Sequence, residues 1–140
     1  MKRLCIILIV SVLGLAGCAA SAQKAVLDTS GESQLRLRQI QTRYFDTADK
    51  KKTLECVLAT LQDLGFVIDK ASYELGSVSA TKLSGYSVRM TVNVVPKGEN
   101  RMMVRASAQY NIQAIEDPRP YQQFFEALSK SMFLQAHMED

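Results

Sequence analysis

The side chains able to do covalent or acid–base chemistry are few. They are three cysteines, Cys5, Cys18 and Cys56, a single histidine, His137, and two pairs of neighbouring carboxylates, Asp46 with Asp49 and Glu116 with Asp117. A catalytic thiol needs an imidazole close by to hold its proton, and His137 stands three residues before the last residue, where fraying is expected. Cys56 is therefore expected to be a small buried hydrophobe on the flank of a helix, with a nucleophile or an intermolecular disulfide as the sharper alternatives. Both carboxylate pairs flank helix starts, where negative charge complements the unpaired amides and the helix dipole, so capping is the first expectation and acid–base work the second. With one His and only Cys56 left among the thiols of a processed chain, no closed Cys/His zinc site can be built. G-x-S-x-G, H-E-x-x-H, P-loop and G-x-G-x-x-G patterns do not occur. The sequence thus assigns no catalytic residue, no metal ligand and no cofactor, and its reading is not an enzyme.

The basic residues divide into two groups. Arg89, Arg101 and Arg105 fall on the solvent side of an alternating pattern, where guanidinium forks suit an anionic partner such as lipopolysaccharide phosphate or an acidic protein surface. The same charges also keep an open sheet face solvated and its edges unpaired. Lys50-Lys51-Lys52 could touch anionic headgroups or simply form a solvated first helical turn, although cations there oppose the helix dipole. Neither group amounts to a nucleic-acid footprint: formal charge is +3 over 140 residues.

The clearest motif is at the amino end. Lys2 and Arg3 precede an apolar run from Leu4 to Leu15, and Leu15-Ala16-Gly17-Cys18 follows. The run is too short to span about 30 Å of hydrocarbon, which takes about 20 residues, and reads as a secretory signal. Its end resembles the lipobox of bacterial lipoproteins, residue for residue. That resemblance implies cleavage between Gly17 and Cys18, a diacylglyceride on the Cys18 sulfur and an acylated amino terminus. Several acyl chains, at about 0.8 kcal/mol per buried methylene, make a lasting anchor where one would exchange. Ala at position 19, rather than Asp, implies outer-membrane sorting under the family's habit in enteric bacteria, with the domain facing the periplasm.

Removing 17 residues leaves 123, with 15 basic against 14 acidic side chains. Residues 18–34, rich in Ala, Ser and Gln, read as a lipidated flexible tether, and as a coil would span roughly 20–25 Å. Residues 35–140 read as a single domain, large enough to bury a core without disulfides.

Within that domain, residues 35–45 alternate and predict a first strand, broken at Asp46. Thr47 or Asp49 then caps a helix whose apolar stripe is Leu54, Val57, Leu58, Leu61 and Leu64, ended by Gly65. Strands are predicted over 66–71 and 76–83. Tyr86 to Val94 and Met102 to Ile112 alternate with period two around the turn Pro96–Asn100, predicting a long antiparallel hairpin with one dry face. Asp117-Pro118 starts a last helix carrying Tyr121, Phe124, Phe125, Leu128 and Met132, with Phe133 a further candidate for its stripe. The order is β-α-β-β-β-β-α. One sheet with one apolar face needs both helices to cover it, so the expectation is a two-layer α+β sandwich.

That order is similar to the helix-grip domains of the BamC type, in topology alone. Three stretches, 41–47, 61–66 leading to 76–82, and 121–134, resemble small uncharacterised lipoproteins of proteobacteria, a likeness that implies location and no chemistry. The expected function is a non-enzymatic accessory or scaffold in an envelope assembly or transport complex, bound to the membrane by its lipid and to an envelope protein of unknown identity. The alternative is a lipid- or glycan-binding module, which needs an apolar cavity between helices and sheet.

Overall fold

The computed structural model describes residues 31–84 and 87–137. The leader, Gly17, Cys18 and the tether up to residue 30 lie outside the described residues, as does Tyr86. The chain divides between Arg36 and Leu37, and the sheet and its two covering helices all belong to the second unit.

Residues 31–40 are helical (α1), not spacer and strand as the alternation suggested. Gln34-Leu35-Arg36-Leu37-Arg38 alternates, but Leu, Arg and Gln are good helix formers and poor strand formers, so the period-two pattern here misleads. An exposed i,i+4 pair, Glu32 with Arg36 at 3.6 Å, lies along it, and Gln41 N donates to Leu37 O to close the last turn. The first strand is confined to Thr42–Phe45 (β1).

Helix α2, Lys50–Asp63, starts where Asp49 accepts a hydrogen bond from Lys52 N at 2.9 Å. Of the two capping candidates Asp49 is the cap, and Thr47 supports it by accepting from Asp49 N. The helix ends in a Schellman arrangement: Gly65, at φ +82°, donates to Gln62 O and Phe66 donates to Leu61 O. Strands β2 (Val67–Ser72), β3 (Ser77–Leu83), β4 (Ser87–Pro96), β5 (Met102–Tyr110) and the two-residue β6 (Gln113–Ala114) follow, then helix α3, Pro118–His137.

All strands join one antiparallel sheet in the order β1-β5-β4-β3-β2, with β6 also paired to β5. The fold is thus the expected α+β sandwich, one helix longer at its start and one short strand longer before α3. The inner face of the sheet carries Val78, Ala80, Met90, Val92, Val94, Met102, Val104, Ala106 and Ala108, all buried. Leu54, Val57 and Leu61 from α2 meet it, with Tyr121, Phe124, Phe125 and Leu128 from α3. The dry face stops short of its predicted length: Tyr110 and Ile112 are exposed, because β5 ends at Tyr110 and the chain turns at Asn111, whose φ is +52°. Phe133 is likewise exposed and does not join the α3 stripe.

β1 and β6 occupy successive stretches of the same β5 edge, pairing with Met102–Arg105 and with Gln109–Tyr110. The gap between them is closed by a polar knot. Ala106 N donates to Gln41 O and Ile115 N to Ala108 O, each at 2.9 Å. The buried Tyr121 hydroxyl accepts from Ala108 N at 3.2 Å and from the Gln41 side-chain amide at 3.3 Å, and donates to Ile115 O at 2.6 Å. One side chain from the helical layer thereby completes the strand ladder of the sheet.

Candidate functional site

Strand pairing fixes which side chains share the sheet's other face, the one that α2 and α3 do not cover. Ser77, Asn93, Arg105 and Thr42 form one row across four strands, and Thr81, Arg89 and Gln109 another across three. Ser79, Thr91 and Ser107 lie between them. Their neighbours on each strand point into the core, so period-two geometry turns these groups outward. The result is a half-buried lattice of hydroxyls and amides with cations set into it.

Arg89 and Arg105 stand on this face as the alternation predicted, on adjacent strands. They are offset by four residues of register, roughly 13 Å. Arg101 lies four residues before Arg105, with its guanidinium 5.3 Å from the ring centre of Tyr44, whose register partner is Met103 on the same face. The three arginines therefore share a surface but do not converge on one point. Lys70 joins them, and sequence reasoning missed it. A bulge between Ile68 and Lys70 shifts the β2 register, so that Lys70 pairs with Ser79 on the outer face. Among the described strand residues the acid on this face is Asp69, at the bulge, which accepts a hydrogen bond from the Thr81 hydroxyl at 2.6 Å. No periodicity signals a bulge, so Lys70 could have been found only by testing both strand registers.

Cys56, His137, Asp49, Asp117, Lys50 and Lys51 are engaged within the fold. Cys56 is buried, as expected, and its thiol donates to Gln135 Oε1 at 2.7 Å. Burial pushes its pKa above the ordinary thiol value of 9.0, outweighing the opposing pull of a Ser131 hydrogen bond and of Lys52. His137 turns to its own helix: its Nδ1 lies 2.8 Å from Phe133 O and its ring packs on Phe133. Asp49 caps α2. Asp117 accepts from the backbone N and the guanidinium of Arg119, which holds its carboxyl below the usual range. Lys50 donates to Glu74 O at 3.0 Å, tying the first turn of α2 to the β2–β3 turn, and Lys51 pairs with Glu55. The described residues include no group of three or more His, Cys, Asp or Glu able to hold a metal ion, and no helix long and apolar enough to cross a membrane.

A groove of about 510 Å³ opens between the helical layer and one end of the sheet, lined by Leu64, Phe66, Val88, Met90 and Ile115 with Lys82 on its wall. Lys82 Nζ donates to Leu64 O at 2.7 Å, beside the Phe66 ring, so it serves as a cap for the carbonyl end of α2.

Searches against protein-family models and against curated proteins find no match to this sequence.

Proposed function

We propose that this protein is a bacterial lipoprotein, fastened through diacylglycerol on Cys18 to the periplasmic side of the outer membrane. Its α+β domain acts as a non-enzymatic accessory or scaffold in an envelope assembly or transport complex. The observation that carries this reading is Leu15-Ala16-Gly17-Cys18 directly behind a basic pair and an apolar run. Small residues let the cleavage segment lie extended in a peptidase cleft, and a cysteine just after it offers the thiol for the lipid. The engagement of Cys56, Asp49 and Asp117 in packing and capping supports a structural role for the domain, since each has a task within the fold.

The test is the chemistry of residue 18. Mass spectrometry of the purified natural protein is expected to find an amino-terminal Cys18 carrying acyl chains, and Cys18→Ala to leave the outer-membrane fraction. An unmodified Cys18, or an intact leader, would overturn the reading. Pull-down of the lipidated protein from solubilised envelopes, with Cys18→Ala as control, then tests the scaffold role, and recovery of no companion counts against it.

A second reading, a lipid- or glycan-binding module, is favoured by the groove at Leu64, Phe66 and Met90, which falls within the usual 300–1,000 Å³ of ligand sites. Delipidated protein retaining an extractable small amphiphile would favour it over the scaffold role.

A further inference from the structure

We propose that the open sheet face is a docking surface for an anionic lipid leaflet, with Lys70, Arg89, Arg101 and Arg105 over the headgroup phosphates. Among the described strand residues turned to this face, Lys70, Arg89 and Arg105 stand with one acid, Asp69, which is already hydrogen-bonded to Thr81, and Arg101 joins them just before β5. Lys70, Arg89 and Arg105 pair with no acid among the described residues. The outward surfaces of α2 and α3 carry both signs, Lys51 with Glu55 and Arg119 with Asp117. The charge asymmetry therefore belongs to the sheet face.

Spacing decides what kind of anion fits. Arginines roughly 13 Å apart cannot grip one phosphate between them. A protein partner would be expected to bury an aromatic or aliphatic anchor at the centre of the contact, whereas the centre here is Ser79, Thr91 and Ser107, and Tyr44 sits at the margin under Arg101. A leaflet makes no such demand, because its phosphates move laterally to meet fixed cations and its headgroups accept from hydroxyls. Each cation near an anionic leaflet strengthens association roughly five-fold, so four give on the order of several hundred-fold. Such weak binding needs a high local concentration. The proposal rests on the lipid anchor for that: Cys18 to Gly31 reaches at most about 45 Å even fully extended, so an anchored domain meets the surface as a tethered ligand.

The experiment uses the full natural lipoprotein reconstituted into phosphatidylcholine vesicles, with or without phosphatidylglycerol, both containing a nitroxide-headgroup quencher. One variant carries a fluorophore at Ser107→Cys on the open face, the other at Glu126→Cys on the helical layer. Buried Cys56 does not compete for label. Quenching of the Ser107 label alone is expected, dependent on phosphatidylglycerol and reversed by molar salt. Arg89→Gln with Arg105→Gln should lower the docked-to-free ratio roughly 25-fold while the protein stays on the vesicles. Equal quenching at both positions, or none that depends on phosphatidylglycerol, would overturn the proposal. So would an acidic protein that co-purifies only with the intact arginines while the Ser107 label stays bright. If the protein does not stay with the vesicles, the anchor reading fails on its own. The surface is then judged by the same labels with vesicles in excess in free solution.

Discussion

Buried polar atoms give the sharpest residue-scale consequences, because two of them differ in one respect. The Tyr121 hydroxyl has three hydrogen-bond partners and closes the β5 edge, whereas the Thr60 hydroxyl is buried with none. Tyr121→Phe leaves the Ala108 amide and the Ile115 carbonyl without that partner, and should cost about 1–3 kcal/mol in urea unfolding. Thr60→Val replaces an unsatisfied hydroxyl by a methyl of similar shape, and should be neutral or stabilising by up to about 1 kcal/mol in the same measurement. A loss at Thr60 as large as at Tyr121 would mean that the hydroxyl has a partner. Cys56 adds a pH dependence whose sign follows from its raised pKa. An unfolded chain ionises this thiol at its ordinary value while the native chain still holds the proton, so above about pH 9 the unfolded state binds fewer protons and stability falls. Below that range the contribution is complete. Cys56→Ala should flatten this alkaline limb of a stability–pH curve, and an unchanged limb would place its origin elsewhere.

At the scale of elements, the turn between β2 and β3 links the sheet to a helix. Gly76 has φ +67°, and a Cβ added there would stand 2.4 Å from Val94 O and 2.8 Å from Lys50 Cε. Its own carbonyl accepts from Val94 N at 2.7 Å, so backbone meets backbone with no room between. Gly76→Ala should therefore cost more than the roughly 1 kcal/mol of an ordinary left-handed glycine, about 2–4 kcal/mol by denaturation, and Gly98→Ala, with open space around it, should cost distinctly less. The hairpin of β4 and β5 was the most legible part of the sequence. Met90, Val92, Val94, Met102, Val104, Ala106 and Ala108 alternate without error, because a half-buried antiparallel strand offers two environments in strict turn. The α2 and α3 stripes were legible for the same reason at helical period. The pattern failed where the environment was single. Nearly all of α1 is exposed, so Leu35 and Leu37 carried no information about which face was buried, and backbone propensity decided. At the open face the arginines followed from alternation, whereas Lys70 depends on a bulge, a local backbone choice that leaves no periodic trace.

The whole molecule combines a compact unit from Leu37 onward with a preceding segment that ends inside a helix. If the first segment serves to hold and the second to act, the second must fold without the first, and the structure names the residue at which that independence ends. Among the described residues every buried one lies beyond Arg36, beginning with Gln41, whose carbonyl accepts from Ala106 N and whose side chain donates to the Tyr121 hydroxyl. Ile40 packs against the same core. A chain beginning at Leu37 should therefore unfold cooperatively with a melting temperature within a few degrees of the chain from residue 19. A chain beginning at Thr42 loses both Gln41 contacts and the Ile40 packing, about 2–4 kcal/mol together. At roughly 4–8 °C per kcal/mol for a domain near 100 residues, its melting should drop by ten degrees or more. Calorimetry on the three chains distinguishes the cases. A large drop already at Leu37 would make residues 31–36 part of the folded unit and, under the proposed lipidation, bring that unit closer in sequence to Cys18.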